Sequence, residues 1–318
     1  MGITGCGKTS FVNHFADQKL RVGHTLDSCM LCTQSVEIAA CTIDDGTKIY
    51  LVDTPGFDDT TRSDTEILRE VAAWLINAYN AKFKLAGIVY LHRIQDTRIG
   101  GTGAKNLKMF RRLCGDSNLG SVVLATTMWD LTDQTRARER EAELKREDTL
   151  WAPMIREGST VLRQDNGKTS AQKIINHLME RKTRITLDIQ RELVEKKLRL
   201  EETGAGSELV TVMEKLLQRY EAKIREVERK LQEEVSKKDA DVREMLEEAK
   251  KEFEDKLDKA KADTQNLQVT HEEILAAERL RYEQAMRDQE AKHKEDLIEQ
   301  KRKVQDDIRK KVHECIVM

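Results

Sequence analysis

Residues that break helices are scarce in this sequence and unevenly placed. Both prolines, Pro55 and Pro153, lie in the first half of the 318 residues, and neither glycine nor proline occurs beyond Gly206. Because these two residues disfavour helix interiors most strongly, nothing in the last third of the chain would interrupt a long helix. No stretch approaches the roughly 20 consecutive apolar residues of a membrane helix, and the first residues do not resemble a secretory signal peptide.

Cysteine content and net charge are also low. Six scattered cysteines lack the density of a disulfide-stapled protein, which predicts a reducing, cytoplasmic compartment. Cys29 and Cys32, with His24 and Cys41 nearby, are the candidates for a zinc or redox site, but their spacing matches no common template and we expect no such site. The formal net charge of −2 gives no reason to expect nucleic acid as a partner.

The first ten residues contain the pattern G-x-x-x-x-G-K-[ST] complete, from Gly2 to Thr9. A loop of this kind turns successive backbone N–H groups around phosphates, while the lysine, Lys8, neutralises the β/γ oxygens and the Thr9 hydroxyl ligates Mg²⁺. A helix expected at residues 11–15 directs its positive N-terminal end at the same phosphates. The predicted phosphate contacts are Gly2, Gly5, Cys6, Gly7, Lys8, Thr9 and Ser10.

A phosphate loop of this type normally follows a buried strand, and here only Met1 precedes it. We expect either that the true start lies upstream or that this chain lacks the strand that carries the loop.

A second nucleotide motif, Asp53-Thr54-Pro55-Gly56, ends an apolar strand predicted at residues 48–52. In this DxxG arrangement Asp53 holds Mg²⁺ through water and the Gly56 N–H senses the third phosphate. The motif follows the phosphate loop by about forty-five residues and comes after a predicted hairpin. The order and spacing make the pair of motifs far more specific than either alone.

Strand and helix patterns alternate through the first 182 residues. This alternation predicts an α/β fold with a mixed, mostly parallel sheet, helices on both faces and one antiparallel edge hairpin. The expected strands are 35–43, 48–52, 85–91, 120–127 and 159–163, and the expected later helices are 64–80, 104–114, 134–156 and 170–181.

Four segments together resemble a known family: GITGCGKTS, VDTPGFDDT, YLHRIQDTRIGG and TTMWD, in this order. They resemble a family of P-loop GTPases found in fungi, which is similar to the immune-associated (AIG-type) GTPases and the septins. The resemblance covers residues 1–182. It implies a Ras-like G domain that binds GTP or GDP with Mg²⁺, hydrolyses GTP slowly or with help from a partner subunit, and self-associates.

The resemblance also assigns individual residues. Thr33 matches the switch I threonine that closes on Mg²⁺, and Thr127 and Asp130 match the base-reading [NT]-K-x-D motif, with the aspartate accepting two guanine hydrogens. Met128 stands where that motif has lysine, and guanine over adenine remains the expectation. The last base-contacting loop, within residues 163–169, is left unassigned. Catalysis is thus assigned to Lys8, Thr33 and Gly56, and the metal to Thr9, Thr33 and Asp53.

How hydrolysis would be completed is left open by the sequence. Ras-like switches place a water-orienting glutamine directly after DxxG, but here Phe57 follows Gly56. Arg93 or Arg98 is a candidate arginine finger across a dimer. The competing and favoured interpretation is that these arginines pair with Asp96 or cap a neighbouring helix.

The tail after the G domain has the composition of a long helix or coiled coil. Apolar residues from Leu216 to Ala260 step by 4, 4 and 3 with a break at Lys238, an eleven-residue repeat that favours a nearly straight or slightly right-handed bundle. A solvated single helix is the alternative. We expect a helical linker at residues 183–206 with a glycine hinge at Gly204–Gly206, and then a long helix or coiled coil over residues 207–313, which as one continuous helix would be roughly 160 Å long.

The last four residues, Cys315-Ile316-Val317-Met318, fit the C-a-a-X prenylation box, with a polybasic stretch upstream as a second membrane signal. Prenylation of Cys315 requires that this is the true and accessible C-terminus.

Taken together, the motifs and the resemblance predict a cytoplasmic GTPase switch that is peripheral at a membrane if it is lipidated. The alternative function is a structural scaffold that binds GTP to assemble, with little or no turnover.

Overall fold

The computed structural model describes residues 1–20, 35–43, 46–59, 61–96, 101–235, 240–281, 283, 284 and 287. Several predicted positions lie outside these ranges. They are Thr33, Arg98, Cys315 and the cysteine pair Cys29 and Cys32.

Two sets of strands form the sheet region of the described residues. Strands β1 and β2 pair antiparallel, from Glu37 opposite Asp53 to Thr42 opposite Lys48. Strands β3, β4 and β5 pair parallel in that order, and every residue of β4 is buried, as an apolar strand covered on both faces should be. The mostly parallel sheet with an antiparallel hairpin is therefore confirmed. The strands are β1 Glu37–Thr42, β2 Lys48–Asp53, β3 Ile88–Arg93, β4 Val122–Thr127 and β5 Thr160–Arg163.

The first residues of the chain, at the start of the phosphate loop, lie between these two sets of strands. Gly2 forms a parallel bridge to Leu91 in β3, and Ile3 forms one to Phe57, which follows β2. Leu91 N donates to Met1 O at 2.9 Å, and Phe57 N donates to Gly2 O at 3.3 Å. Backbone hydrogen bonds on both sides thus fix where the phosphate loop begins.

Helices cover both faces of β3. Val89 and Leu91 pack into the cluster that contains residues of α1 and α6, whereas the Tyr90 ring lies 4.6 Å from the ring of Phe110 in α3. Since successive strand residues point to opposite faces, α1 and α6 lie on one face and α3 on the other. The helices of this part are α1 Lys8–Val12, α2 Asp64–Asn80, α3 Gly101–Cys114, α4 Gln134–Arg146, α5 Ala152–Arg156 and α6 Gly167–Glu180.

The helix expected over residues 134–156 is wrong as one element. It is divided into α4 and α5, and Pro153 lies in the first turn of α5. Proline fits a first helical turn because its missing N–H has no partner there in any case. The sequence pattern detected the helical residues but overlooked the new helix start.

One continuous helix over residues 207–313 is also wrong. Helix α8 ends at Val235 and α9 starts at Ala240, and the two run side by side. Lys250 Nζ lies 2.8 Å from a Glu228 carboxylate oxygen, although one continuous helix would separate these positions by about 33 Å. The tail elements are α7 Asp188–Gln190, a π-helical turn Arg191–Glu195, a 3₁₀ turn Leu200–Glu202, α8 Gly204–Val235 and α9 Ala240–Leu267.

The pair α8 and α9, here called the tail hairpin, packs on the α/β domain that precedes it. Helix α8 contacts α3, and α9 contacts α2; Lys108 in α3 pairs with Glu208 in α8 at 2.7 Å. At its base, Leu200 N donates to Val269 O at 2.9 Å. Within the apolar stripe, Val227 and Ala260 are buried and the other described members are half-buried; Leu209, Met213 and Leu267 are also buried in the same two helices.

Residues 1–271 form one compact unit and residues 272–318 a second. Within the second unit, residues 272–281 are helical. Among the helices in the described ranges, none combines the length and apolar composition needed to cross a membrane.

Candidate functional site

The phosphate loop has the backbone geometry that its sequence predicts. Gly7 precedes α1 with φ +90°, a left-handed conformation that glycine adopts without strain. Lys8 is buried, and its Nζ donates to Ile3 O at 3.0 Å and to Gly2 O at 3.3 Å. The ammonium group therefore reaches back across the concave side of the loop, where phosphate oxygens would take the place of these carbonyls.

Two of the predicted metal ligands meet beside the loop. The Thr9 hydroxyl donates to Asp53 Oδ2 at 2.6 Å, and Asp53 is buried at the end of β2. Hydroxyl and carboxylate oxygens are the hard donors that Mg²⁺ prefers, so this pair fits the ion. The third predicted ligand, Thr33, lies outside the described residues.

The DxxG segment packs directly against the phosphate loop. A Cβ added to Gly56 would lie 2.5 Å from Thr4 Cα and Thr4 N, so only glycine fits at this approach. Thr4 N donates to Phe57 O at 2.8 Å, and the Thr4 hydroxyl lies 3.1 Å from Gly56 O. The two motifs are thus held together by backbone and side-chain hydrogen bonds.

The position of the water-orienting glutamine is filled by Phe57, which is 1% exposed. Its ring is part of the interior and offers no hydrogen bond to a water molecule. Arg93 pairs with Asp96 at 3.2 Å within the chain, as the favoured interpretation predicted. A Cβ at Gly5 would lie 3.3 Å from Arg93 Nη1, which places the guanidinium group beside the phosphate loop.

The base-reading segment joins the phosphate loop through a buried hydroxyl. Thr127 Oγ1 lies 3.1 Å from Cys6 O and 3.3 Å from His92 O, and donates its proton to these carbonyls. Asp130 is exposed in the short turn that follows. Met128 has φ 60°, a conformation unusual for a residue with a side chain. The carboxylate of Asp130 is thus accessible to a base at the edge of the loop.

A stacked arginine, which sequence reasoning missed, supports this segment. The Arg163 guanidinium carbon lies 4.1 Å above the Trp129 ring, and its nitrogens donate to both Glu141 oxygens at 2.9 and 2.5 Å. Burial alone would raise the pKa of Glu141, but the bonds from Arg163 and Lys145 lower it. The tryptophan inside the motif was the available signal, but its partner comes from a distant strand.

The unassigned loop after β5 also reaches this edge. Gln164 N donates to Thr126 O at 2.8 Å, and the Gln164 side-chain amide donates to Gly167 O at 2.8 Å. Residues 164–167 therefore lie beside the carboxyl end of β4, next to the base-reading segment.

A second missed residue, Glu70, links the segment before β1 to α2. Glu70 is buried, and its two oxygens accept from Val36 N and from Arg62 Nη2, both at 2.7 Å. The Glu70 carboxylate thus binds both the segment before β1 and the segment that follows the DxxG motif. Nothing in the local sequence pattern around residue 70 indicates this pairing.

The fold and the site together define a P-loop GTPase domain. Residues 1–109 match the family model described as 50S ribosome-binding GTPase. A comparison with curated proteins finds no match.

Among solved structures, the chain is similar to Toc33 from Arabidopsis thaliana in complex with GDP and Mg²⁺. The two are 16% identical, the match covers 59% of this chain and 86% of that chain, and the TM-score is 0.47. A structure of the chloroplast translocon components atToc33 and psToc159, for which dimerization is important for the GTPase activity, matches at 15% identity, with 57% and 80% coverage and a TM-score of 0.45. Elongation factor SelB from Methanococcus maripaludis matches at 14% identity, with 57% and 32% coverage and a TM-score of 0.35.

Proposed function

We propose that residues 1–182 bind Mg²⁺·GTP and hydrolyse it slowly, as a molecular switch of the AIG-like and septin-like type. The observation that carries the proposal is the 2.6 Å contact between Thr9 and Asp53 beside the buried Lys8. A hydroxyl, a carboxylate and an ammonium group at one end of a phosphate-binding loop match a metal-bound triphosphate in charge and in donor chemistry.

Each residue has a defined task in this proposal. Lys8 exchanges its loop carbonyls for β- and γ-phosphate oxygens, and Thr9 and Asp53 hold the ion, with Thr33 as the further predicted ligand. When bound there, Mg²⁺ would neutralise negative charge on the phosphate oxygens. Gly56 lies against the loop because it lacks a side chain, and its N–H would contact the third phosphate of a bound GTP.

Guanine preference rests on Asp130. Its exposed carboxylate accepts only, and guanine presents two neighbouring N–H groups, at N1 and at the 2-amino group. Adenine presents no such pair of donors to one carboxylate. We therefore propose GTP and GDP, and not ATP, as the ligands.

The same proposal includes two further properties. The chain self-associates, and as a cytoplasmic protein it attaches to the membrane surface through prenylated Cys315.

Turnover within one chain should be slow, because Phe57 supplies no amide to orient the attacking water. We propose that a second copy of the chain supplies further charge at the site. The buried Phe57 also favours the second candidate function, a GTP-binding scaffold with little turnover. Single-turnover hydrolysis measured across protein concentrations separates them: rates rising with dimer formation support the switch.

The base assignment is tested by substituting Asp130 with asparagine. We expect D130N to lose GTP affinity by about tenfold or more, since a charged hydrogen bond contributes roughly 1.5–3 kcal/mol. It should gain affinity for xanthosine triphosphate, whose 2-oxo group accepts from the new amide. Fluorescent-nucleotide titration measures both.

Two variants serve as references for that titration. Lys8→Ala should lose both nucleotides, and Asp116→Asn, at an exposed acid in another turn, should change neither. An unchanged GTP-to-XTP ratio in D130N would remove Asp130 from base recognition.

A further inference from the structure

A polar pair, Thr4 and Asp59, lies where the phosphate loop meets the DxxG segment and has no part in the phosphate, metal or base contacts. The Thr4 hydroxyl lies 3.2 Å from Asp59 Oδ2 and 3.1 Å from Gly56 O. Thr4 is the third residue of the loop, and Asp59 follows Gly56 by three residues.

Asp59 is held rigidly by its other oxygen. Asp59 Oδ1 accepts from Thr61 N at 2.8 Å, from Thr61 Oγ1 at 2.6 Å and from Arg62 N at 3.2 Å. These bonds fix the plane of the carboxylate and leave Oδ2 facing Thr4. Burial favours the neutral acid, but the bonds from Thr61, Arg62 and Thr4 outweigh it and lower the pKa of Asp59, so the group is ionised at neutral pH.

The pair lies at the third-phosphate end of the loop. A Gly56 Cβ would approach the Thr4 backbone to 2.5 Å, and the glycine of DxxG is the residue that senses the γ-phosphate. The neighbouring Phe57 is buried and offers no polar atom there. Thr4 and Asp59 thus place a hydroxyl and a carboxylate next to the position from which the glutamine is missing.

We propose that Thr4 and Asp59 together orient the attacking water, Thr4 by direct contact and Asp59 as a positioning residue acting through Thr4. This inference rests on the proposed GTPase function. With its proton donated to Asp59, the Thr4 oxygen accepts a hydrogen from water and directs the water oxygen toward the γ-phosphorus. As the new P–O bond forms, the bond to the β–γ bridging oxygen breaks, its electron pair leaves on GDP, and the water proton ends on the released phosphate.

The pair also has an alternative, purely structural role. The same hydrogen bonds hold the DxxG segment against the phosphate loop, and a purely structural contact of this kind would affect nucleotide entry and not the chemical step. The two roles differ in which rate constant they change.

The test uses the full chain and four variants: Asp59→Asn, Thr4→Ala, Thr4→Ser and the control Asp58→Asn. An asparagine amide has one oxygen that accepts hydrogen bonds, whereas the Asp59 carboxylate has two. Asn at position 59 therefore loses either the bonds from Thr61 and Arg62 or the bond from Thr4. Asp58 is exposed, and asparagine tolerates its left-handed backbone. Single-turnover hydrolysis of GTP and the affinity for a non-hydrolysable GTP analogue are measured for each, with circular dichroism to confirm folding.

We expect D59N and T4A to lower the single-turnover rate constant about tenfold or more, because the attacking water loses its orientation toward the γ-phosphorus. Their affinity for the analogue should stay within about twofold of the parent, because no phosphate contact is removed. Thr4→Ser keeps the hydroxyl and should keep the rate, and D58N should match the parent.

Three outcomes overturn the inference. If D59N and T4A hydrolyse GTP at the parent rate, or change only nucleotide association, the pair is a purely structural contact. A parent chain that binds the analogue but never turns GTP over overturns the inference and leaves the binding proposal standing. A parent chain that binds no GTP overturns both.

Discussion

At the scale of single residues, Thr127 shows how much a motif leaves undefined. The resemblance places Thr127 in the base-reading motif, and a base contact by this residue stays a prediction. In the structure its hydroxyl is buried and bonds to Cys6 O and His92 O, so it ties the base-reading segment to the phosphate loop and to β3. The contribution of this side chain is therefore to hold two binding segments in register.

Substituting Thr127 with valine tests this link, since valine keeps the shape and removes the hydroxyl. We expect Thr127→Val to lower the free energy of unfolding by about 1–2 kcal/mol, because two buried carbonyls lose their shared donor. GTP affinity should fall as well, while Thr127→Ser should retain both properties. Urea unfolding and nucleotide titration measure them, and a fully stable valine variant would contradict the link.

At the scale of elements, Gly204 and Gly206 were expected to form a hinge and instead begin a helix. Both lie in the first turn of α8, directly after the 3₁₀ turn Leu200–Glu202. A Cβ on Gly206 would lie 1.8 Å from Leu200 O, whereas one on Gly204 meets nothing closer than Arg112 Cβ at 3.5 Å. Glycine occupies position 206 because the backbone of Leu200 leaves no room for a side chain there, and not because the chain bends at this point.

The two glycines provide a matched pair of alanine variants. Gly206→Ala should destabilise the chain by about 2 kcal/mol or more, because the clash is with backbone that cannot move aside freely. Gly204→Ala should be neutral or stabilising by about 0.5–1 kcal/mol, as expected for alanine replacing glycine in a helix. Thermal unfolding of both compares them directly, and equal stability would restore the hinge interpretation.

At the scale of the whole molecule, the tail hairpin changes what the apolar repeat means. The eleven-residue period identified an apolar stripe, but the same stripe fits an extended coiled coil, a bundle or a helix folded back on its neighbour. Packing of α8 on α3 and of α9 on α2 makes the tail hairpin part of the same compact unit as the G domain. Helix α2 begins shortly after the DxxG segment, so the hairpin rests on an element adjoining the nucleotide site.

Zero-length carbodiimide cross-linking distinguishes the hairpin from an extended stalk. We expect a link between Lys250 and Glu228, whose charged groups lie 2.8 Å apart across the two helices. Lys223 and Glu226, 2.8 Å apart within α8, provide a positive control that either arrangement allows. Mixing isotopically labelled and unlabelled chains shows whether the link is within one molecule; links found only between chains would favour a coiled-coil dimer.

Much of the G domain was predictable from the sequence because its signals are local. The spacing of glycines, Lys8 and Thr9 defines the phosphate loop, and helical periodicity gave α2 with the bounds that the structure has. The antiparallel hairpin and the buried parallel strands followed from alternation and from continuous apolar runs. Each of these features depends on the periodicity of apolar residues and on turn residues within one segment, so that segment alone is enough to predict it.

The sequence by itself thus determined a P-loop GTPase domain with the candidate site residues Lys8, Thr9, Asp53 and Gly56. Only the tertiary structure decided which groups meet from distant segments, such as Thr4 with Asp59 and Arg163 with Trp129, and that the tail folds into a hairpin. The physical reason is that the sequence shows which side chains are apolar and must be buried, and which are polar and must form hydrogen bonds. It does not show which surface buries them or which group bonds to them, because packing among elements far apart in the chain determines that.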